Sequence, residues 1–318
     1  SAVAVDFLGV EGGVGLAGSA AMRQWVDALA AVLHWQAPNL LDLLAIASAV
    51  ATLAQHTPRT PSMWWIMTVV DTGMAGSAVK LRDVGEACFA FARFSPAHPP
   101  KFLASTEQLT LTGHETRAMS LILQSYAEWG RPLPPQYQEA VQARPFRGSK
   151  PEVAVAAAAL AKLRECPDTR EQMLEMLGDG QGLKTTAIVA ACVAAGASDD
   201  PRWAPMVTTW HRHLESRLGE LWAGPLADLC GALVARAPAS PALGQKVVAQ
   251  LWQRLQTAAV GSGRLCDGLR ASRQFGADWG LVARALRRVD LSVARDEDVA
   301  TMLQIVSQVQ APVLSRLV

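Results

Sequence analysis

DLLAIASAVATL runs from Asp42 to Leu53, and DVGEACFAFARF runs from Asp83 to Phe94. AMSLILQSYAEW (Ala118–Trp129) and EVAVAAAALAKL (Glu152–Leu163) repeat the type. Weaker copies follow as KTTAIVAACVAA from Lys184, GPLADLCGALVA from Gly224, RLCDGLRASRQF from Arg264 and DVATMLQIVSQV from Asp298. Most are rich in alanine, and each ends on an apolar residue. Aligned on that last residue, successive copies lie roughly 32–41 residues apart, with a mean near 37. This is the period of stacked helical hairpins.

Between the copies lies a second type of helix, often carrying Trp or a charged face: MWWIMTVV from Met63, WAPMVTTWHRHLESRL from Trp203, KVVAQLWQRLQTA from Lys246. Helical spacing is explicit in Val248, Leu251, Trp252 and Leu255. It recurs in Val282, Ala285, Leu286 and Val289, and in Val299, Met302, Leu303 and Val306. Residues at i, i+3, i+4 and i+7 share one helix face. Pro58, Pro96, Pro132, Pro167, Pro201, Pro238 and Pro312 each follow a helical stretch, where proline ends what it cannot continue. Asp168 and Ser240 are expected as N-caps.

The expected fold is all-α: a right-handed α-solenoid of about eight stacked helix–turn–helix repeats of roughly 37 residues. A single array spans 22–318, with Met22–Gln36 and the C-terminal segment as caps. Residues 1–21 form a Gly-rich N-terminal arm. One hairpin cannot bury its apolar face alone, whereas stacking buries it and leaves a long concave surface.

Composition agrees with a large core: half the residues are hydrophobic and 18% are charged. Abundant alanine favours helix and close helix approach. No run reaches the ~18–20 apolar residues of a membrane span. Met63–Val70 and Leu40–Ala54 are expected as buried helices. The net charge of +1 is not that of a protein coated in basic residues for nucleic acid, although most of the cations are Arg. The five cysteines, Cys88, Cys166, Cys192, Cys230 and Cys266, form no CxxC pair. Their default role is that of small buried hydrophobes in a reducing compartment. The chain starts at Ser1 without Met, as expected for a trimmed or processed N-terminus.

LLDLLAIASAVATL, KLRDVGEACFAFARF and KPEVAVAAAALAKL resemble the repeats of octotricopeptide and related FAST-kinase-like or RAP-associated proteins. The resemblance extends from Leu40 over most of the chain. It lacks a strict family signature, and no RAP domain is recognisable near the C-terminus. HEAT-like arrays share the period. The resemblance implies an organellar, mitochondrial-matrix protein that binds RNA, or a ribosomal or assembly subunit.

Chemical motifs are few. GVGLAG (Gly13–Gly18) matches GxGxxG behind a strand-like Val3–Val10, but a dinucleotide site needs a second strand with an acidic end about twenty residues on. That region reads as helix, so a flexible arm is the better reading. His211 and His213 diverge by about 200° on a helix and suit no shared metal. There is no GxSxG or Walker A sequence, so neither an enzyme nor a cofactor is expected.

The feature that points to a partner is a late cluster of arginines: Arg264, Arg270 and Arg273 on one helix, Arg284, Arg287 and Arg288 on the next, then Arg295. Arg284, Arg287 and Arg288 fall opposite an apolar stripe and should face solvent, suited to phosphate. A solvated face or a patch for an acidic protein is the competing reading. Arg144 and Arg147, flanking Phe146 in a Pro/Gly loop, are a second candidate. Trp64, Trp65, Trp210, Trp222 and Trp252 could stack on bases, but they sit in apolar patterns that favour the core. The expected partners are RNA (rRNA or an organellar transcript) and neighbouring proteins of a large assembly. The alternative is a protein-binding scaffold or accessory subunit without RNA contact.

Overall fold

A computed structural model describes residues 16–35, 38–55, 59–75, 79–106, 116–143, 146, 148–235, 240–257, 260–289 and 294–308. Among the described residues the regular structure is helical, with no strand. In chain order the helices are α1 (Leu16–Trp35), α2 (Leu40–Leu53), α3 (Pro61–Ala75), α4 (Leu81–Phe94), α5 (Leu103–Thr106) and α6 (Thr116–Trp129). Then come α7 (Pro135–Gln142), α8 (Lys150–Leu163), α9 (Pro167–Leu177), α10 (Thr185–Gly196) and α11 (Trp203–Glu215). A short 3-10 turn, Leu218–Glu220, precedes α12 (Ala223–Ala235), α13 (Pro241–Arg254), α14 (Ser262–Phe275), α15 (Trp279–Leu286) and α16 (Asp296–Ser307). No described helix is long and apolar enough to cross a membrane.

The packing follows the two helix types. The repeat copies are α2, α4, α6, α8, α10, α12, α14 and α16, and each packs on the next in one row. The other helices lie against that row: α3 on α2, α9 on α8 and α10, α11 on α10, and α13 on α12 and α14. Helix α1 packs on α3, and α15 on α13. A row helix meets neighbours on both sides, so it buries more than one stripe. In α8 the buried set is Val153, Ala154 and the whole run Ala156–Ala161. A flanking helix needs one stripe only, and in α11 that stripe is Trp203, Val207, Trp210 and Leu214.

Small side chains set how closely the row packs. At Gly85 in α4 an added Cβ would lie 2.8 Å from the Ala118 carbonyl oxygen of α6. The two backbones therefore touch, which only glycine permits.

Local signals end the helices. Asn39 Oδ1 accepts from the Asp42 N–H at 3.0 Å, and Ser149 with Glu152 forms a capping box. Ser240 caps α13 as expected. Asp168 does not cap: Pro167 opens α9, Cys166 holds the N-cap with φ 45°, and Asp168 lies inside the first turn. Proline is favoured at the first helical position, where its missing N–H costs nothing. The N-terminal helix starts at Leu16, six residues before the expected Met22, because AGSAA continues the helix from within the supposed arm.

The last expected stripe is rotated. Met302 and Ile305 are buried, whereas Leu303 is 66% exposed. Helix α16 packs on α14 alone among the row helices, so it buries a narrow face. Of the tryptophans read as core, Trp210 and Trp252 are fully buried, Trp64 is half-buried, and Trp65 and Trp222 are exposed. The Trp252 indole N–H donates to Ser272 Oγ at 2.6 Å, which satisfies its one polar atom. All five cysteines are buried free thiols. Burial pushes Cys192 and Cys266 up to about 12, far from the thiolate needed for reactivity. The strand-like Val3–Val10, Gly13, and Pro58, Pro238 and Pro312 lie outside the described residues.

Candidate functional site

The row curves. Glu128 near the end of α6 and Arg264 near the start of α14 are 136 residues apart in sequence and four steps apart along the row, yet Arg264 Nη2 lies 2.8 Å from Glu128 Oε1. The inner side of the curve encloses a groove of about 910 Å³. Its walls come from α4, α6, α8, α10, α12 and α14, and from the end of α15. The floor is small and apolar: Val155, Ala158, Ala159, Val189, Ala190 and Val193.

Charge is distributed unevenly. Arg59, Arg93, Lys162, Arg264, Arg287 and Arg288 line the groove, against only Glu128 and Asp228. Six cations and two carboxylates leave four positive charges in the groove of a chain whose total is +1. Phe89 and the exposed Trp222 add two aromatic faces.

The cations fall into three states. Arg264 and Lys162 are tied to carboxylates. Arg264 donates through Nε and Nη2 to Asp228 at 3.0 and 3.1 Å as well as to Glu128, and Lys162 Nζ lies 2.6 Å from Asp228 Oδ1. Burial disfavours the Asp228 carboxylate, but the charges of Arg264 and then Lys162 outweigh it and hold the carboxyl well below its ordinary range. Burial likewise opposes the charge on Arg264, and Asp228 with Glu128 more than restores it. Arg59 and Arg93 are half-engaged. Arg59 Nε donates to the Phe94 carbonyl at 2.5 Å, and Arg93 Nη2 to Gln55 Oε1 at 2.6 Å. Each guanidinium also lies over a ring, Arg59 at 5.5 Å from the Phe94 centroid and Arg93 at 5.3 Å from that of Phe89. Arg287 and Arg288 are exposed, and neither guanidinium has a hydrogen bond or ion pair to another described residue.

The arginine cluster expected from sequence therefore separates. Arg287 and Arg288 reach the groove. Arg284 is exposed beside Gly280, outside the lining. Arg270 pairs with Asp267 at 3.1 Å, and Arg273 donates to Gln308. Arg264 is the centre of the ion-pair set and lies at the groove surface, tied to Glu128 and Asp228. Arg295 is half-buried, chelating Asp298 through Nε and Nη2 at 2.8 and 3.0 Å. Arg144 and Arg147 lie outside the described residues.

Arg59, Arg93, Lys162, Glu128 and Asp228 were not among the expected site residues. A signal for three of them exists. Arg93, Glu128 and Lys162 each occupy the last-but-one position of successive repeat copies, in FARF, YAEW and LAKL. Equal positions in stacked repeats lie in one line along the concave side.

His211 and His213 are half-buried on α11, and no cluster of three metal-binding side chains occurs among the described residues. Comparison with protein-family models and with curated proteins finds no match.

Proposed function

We propose that this chain is a right-handed α-solenoid of roughly 37-residue repeats that binds single-stranded RNA in its concave groove, without catalysis, as part of an organellar ribonucleoprotein. The observation that carries this reading is the concentration of positive charge: a near-neutral chain places a surplus of four charges inside one groove. Cationic grooves with aromatic faces track a phosphate backbone and stack on unpaired bases. Arg287 and Arg288 supply cations without a partner among the described residues, and Phe89 and Trp222 supply the faces. The resemblance to octotricopeptide-type repeats points the same way.

The test is fluorescence polarisation with a labelled mixed-sequence oligoribonucleotide across a salt series. Wild type is expected to bind, with affinity falling steeply as salt rises, since each phosphate contact on a single strand contributes about −0.7 to the log–log slope. Arg287→Ala with Arg288→Ala is expected to weaken binding by about tenfold and to flatten the slope by about 1.4. Absence of binding at low salt would overturn the reading.

A second reading has its own support. The Ala and Val floor suits an apolar peptide better than a sugar–phosphate chain. In that case the chain is a scaffold that holds a polypeptide of a large assembly.

A further inference from the structure

We infer that Glu128, Arg264, Asp228 and Lys162 form an ionic clasp that holds the row of helices in its closed curve and masks two of the groove's cations. The clasp crosses the groove. It joins α6 to α14 through Glu128 and Arg264, α12 to α14 through Asp228 and Arg264, and α8 to α12 through Lys162 and Asp228. None of these pairs depends on helices adjacent in sequence. One close approach and one ordinary contact flank it. Gly130, just past α6 with φ +63°, is seated against the Arg295 guanidinium, and a Cβ there would overlap it. A Cβ on Gly261 would lie 3.6 Å from Pro96 and 3.7 Å from Glu128.

Two kinds of force act on this molecule. Row neighbours are joined by apolar burial, which salt does not weaken. The clasp is joined by charge, and its side chains stay 17–29% exposed at the groove surface, where counterions reach them. Curvature in a stacked array accumulates from small rotations at each step, so a contact across the curve can set it at little cost to the steps. The same pairing neutralises Lys162 and Arg264, two of the six cations that line the groove. A phosphate strand competes with Glu128 and Asp228 for them, so an entering polyanion opens the clasp it replaces. The masking half rests on the RNA reading; the closure half does not.

Glu128→Gln removes the arm across the curve and leaves Arg264 on Asp228. The measurements are small-angle scattering from low to molar salt, and oligoribonucleotide affinity at one moderate salt. Wild type is expected to expand as salt rises. The variant is expected to show at low salt the larger radius of gyration that wild type reaches only at high salt, and to bind the oligoribonucleotide several-fold tighter. Lys162→Gln serves as the second variant, and the wild-type salt series stands by itself if Glu128→Gln does not fold. An unchanged radius for wild type across the salt range, with an unchanged variant, overturns the clasp. A widened variant that binds no tighter than a binding wild type overturns the masking. Widening with no RNA binding by either protein upholds closure and removes the RNA reading alone.

Discussion

Asp228 accepts from two cations inside an otherwise apolar wall, and this makes it the residue on which acid acts most directly. Its folded-state carboxyl lies well below the ordinary range because Arg264 and Lys162 stabilise the anion more than burial penalises it. A carboxyl lowered on folding contributes stability that is complete above its unfolded value, near pH 4, and is lost as the pH falls toward its folded value. Asp267 runs the other way, since burial raises it and its ionisation opposes folding. Asp228→Asn leaves Arg264 with Glu128 as its one ion-paired carboxylate, takes the paired carboxylate from Lys162, and is expected to cost about 3 kcal/mol at neutral pH. The loss should shrink as the pH drops below about 4, where the wild-type carboxylate itself is being protonated. Chemical denaturation of both proteins at neutral and acid pH measures this. A constant difference across pH would show that the charge of Asp228 is not what stabilises the fold.

At the scale of the helix, the row is governed by small residues. Alanine was legible in the repeat copies as a helix former and as room for close approach, but which glycine touches a backbone was not. Gly85 is one of several glycines in the helical copies, and only the pairing of α4 with α6 brings it against the Ala118 carbonyl. Gly85→Ala would gain up to about 1 kcal/mol of helix propensity and meet a backbone atom that cannot rotate away. A net loss of about 1–3 kcal/mol is expected. A thermal melt reads it, and a raised midpoint would mean that α4 and α6 are further apart than described. The misplaced features have comparable causes. Leu303 fits the helical period but is exposed, because among the described residues α16 has α14 as its one row neighbour. Asp168 has N-cap chemistry, but Pro167 beside it takes the first helical position. Periodicity locates a helix; its neighbours choose which part of the period is covered.

For the whole molecule, the decisive quantity is the shape of the curve. It turns a near-neutral chain into one with a cationic interior, which composition had argued against. If the groove holds RNA, the native protein isolated gently from its cells should sediment as a heavy particle that collapses after ribonuclease treatment. A heavy particle that survives ribonuclease would favour the scaffold reading and its apolar floor. The site was only partly legible because charge was judged by where it lay in sequence. Arg287 and Arg288 were found that way, as residues expected opposite an apolar stripe, although both lie just past the end of α15. Arg264 was placed among them on its helix, and Glu128 and Asp228, which neutralise it, come from α6 and α12.

By itself the sequence determined that the described residues are helical, where eight of the helices begin and end within a few residues, and that the five cysteines serve as core. Those properties are local, set by backbone propensity and by an apolar period of 3.6 residues within each segment. Only the tertiary structure decided which charges meet. Glu128 and Arg264 are brought together by a curve summed over four steps of the row, and no segment of the chain encodes that sum on its own.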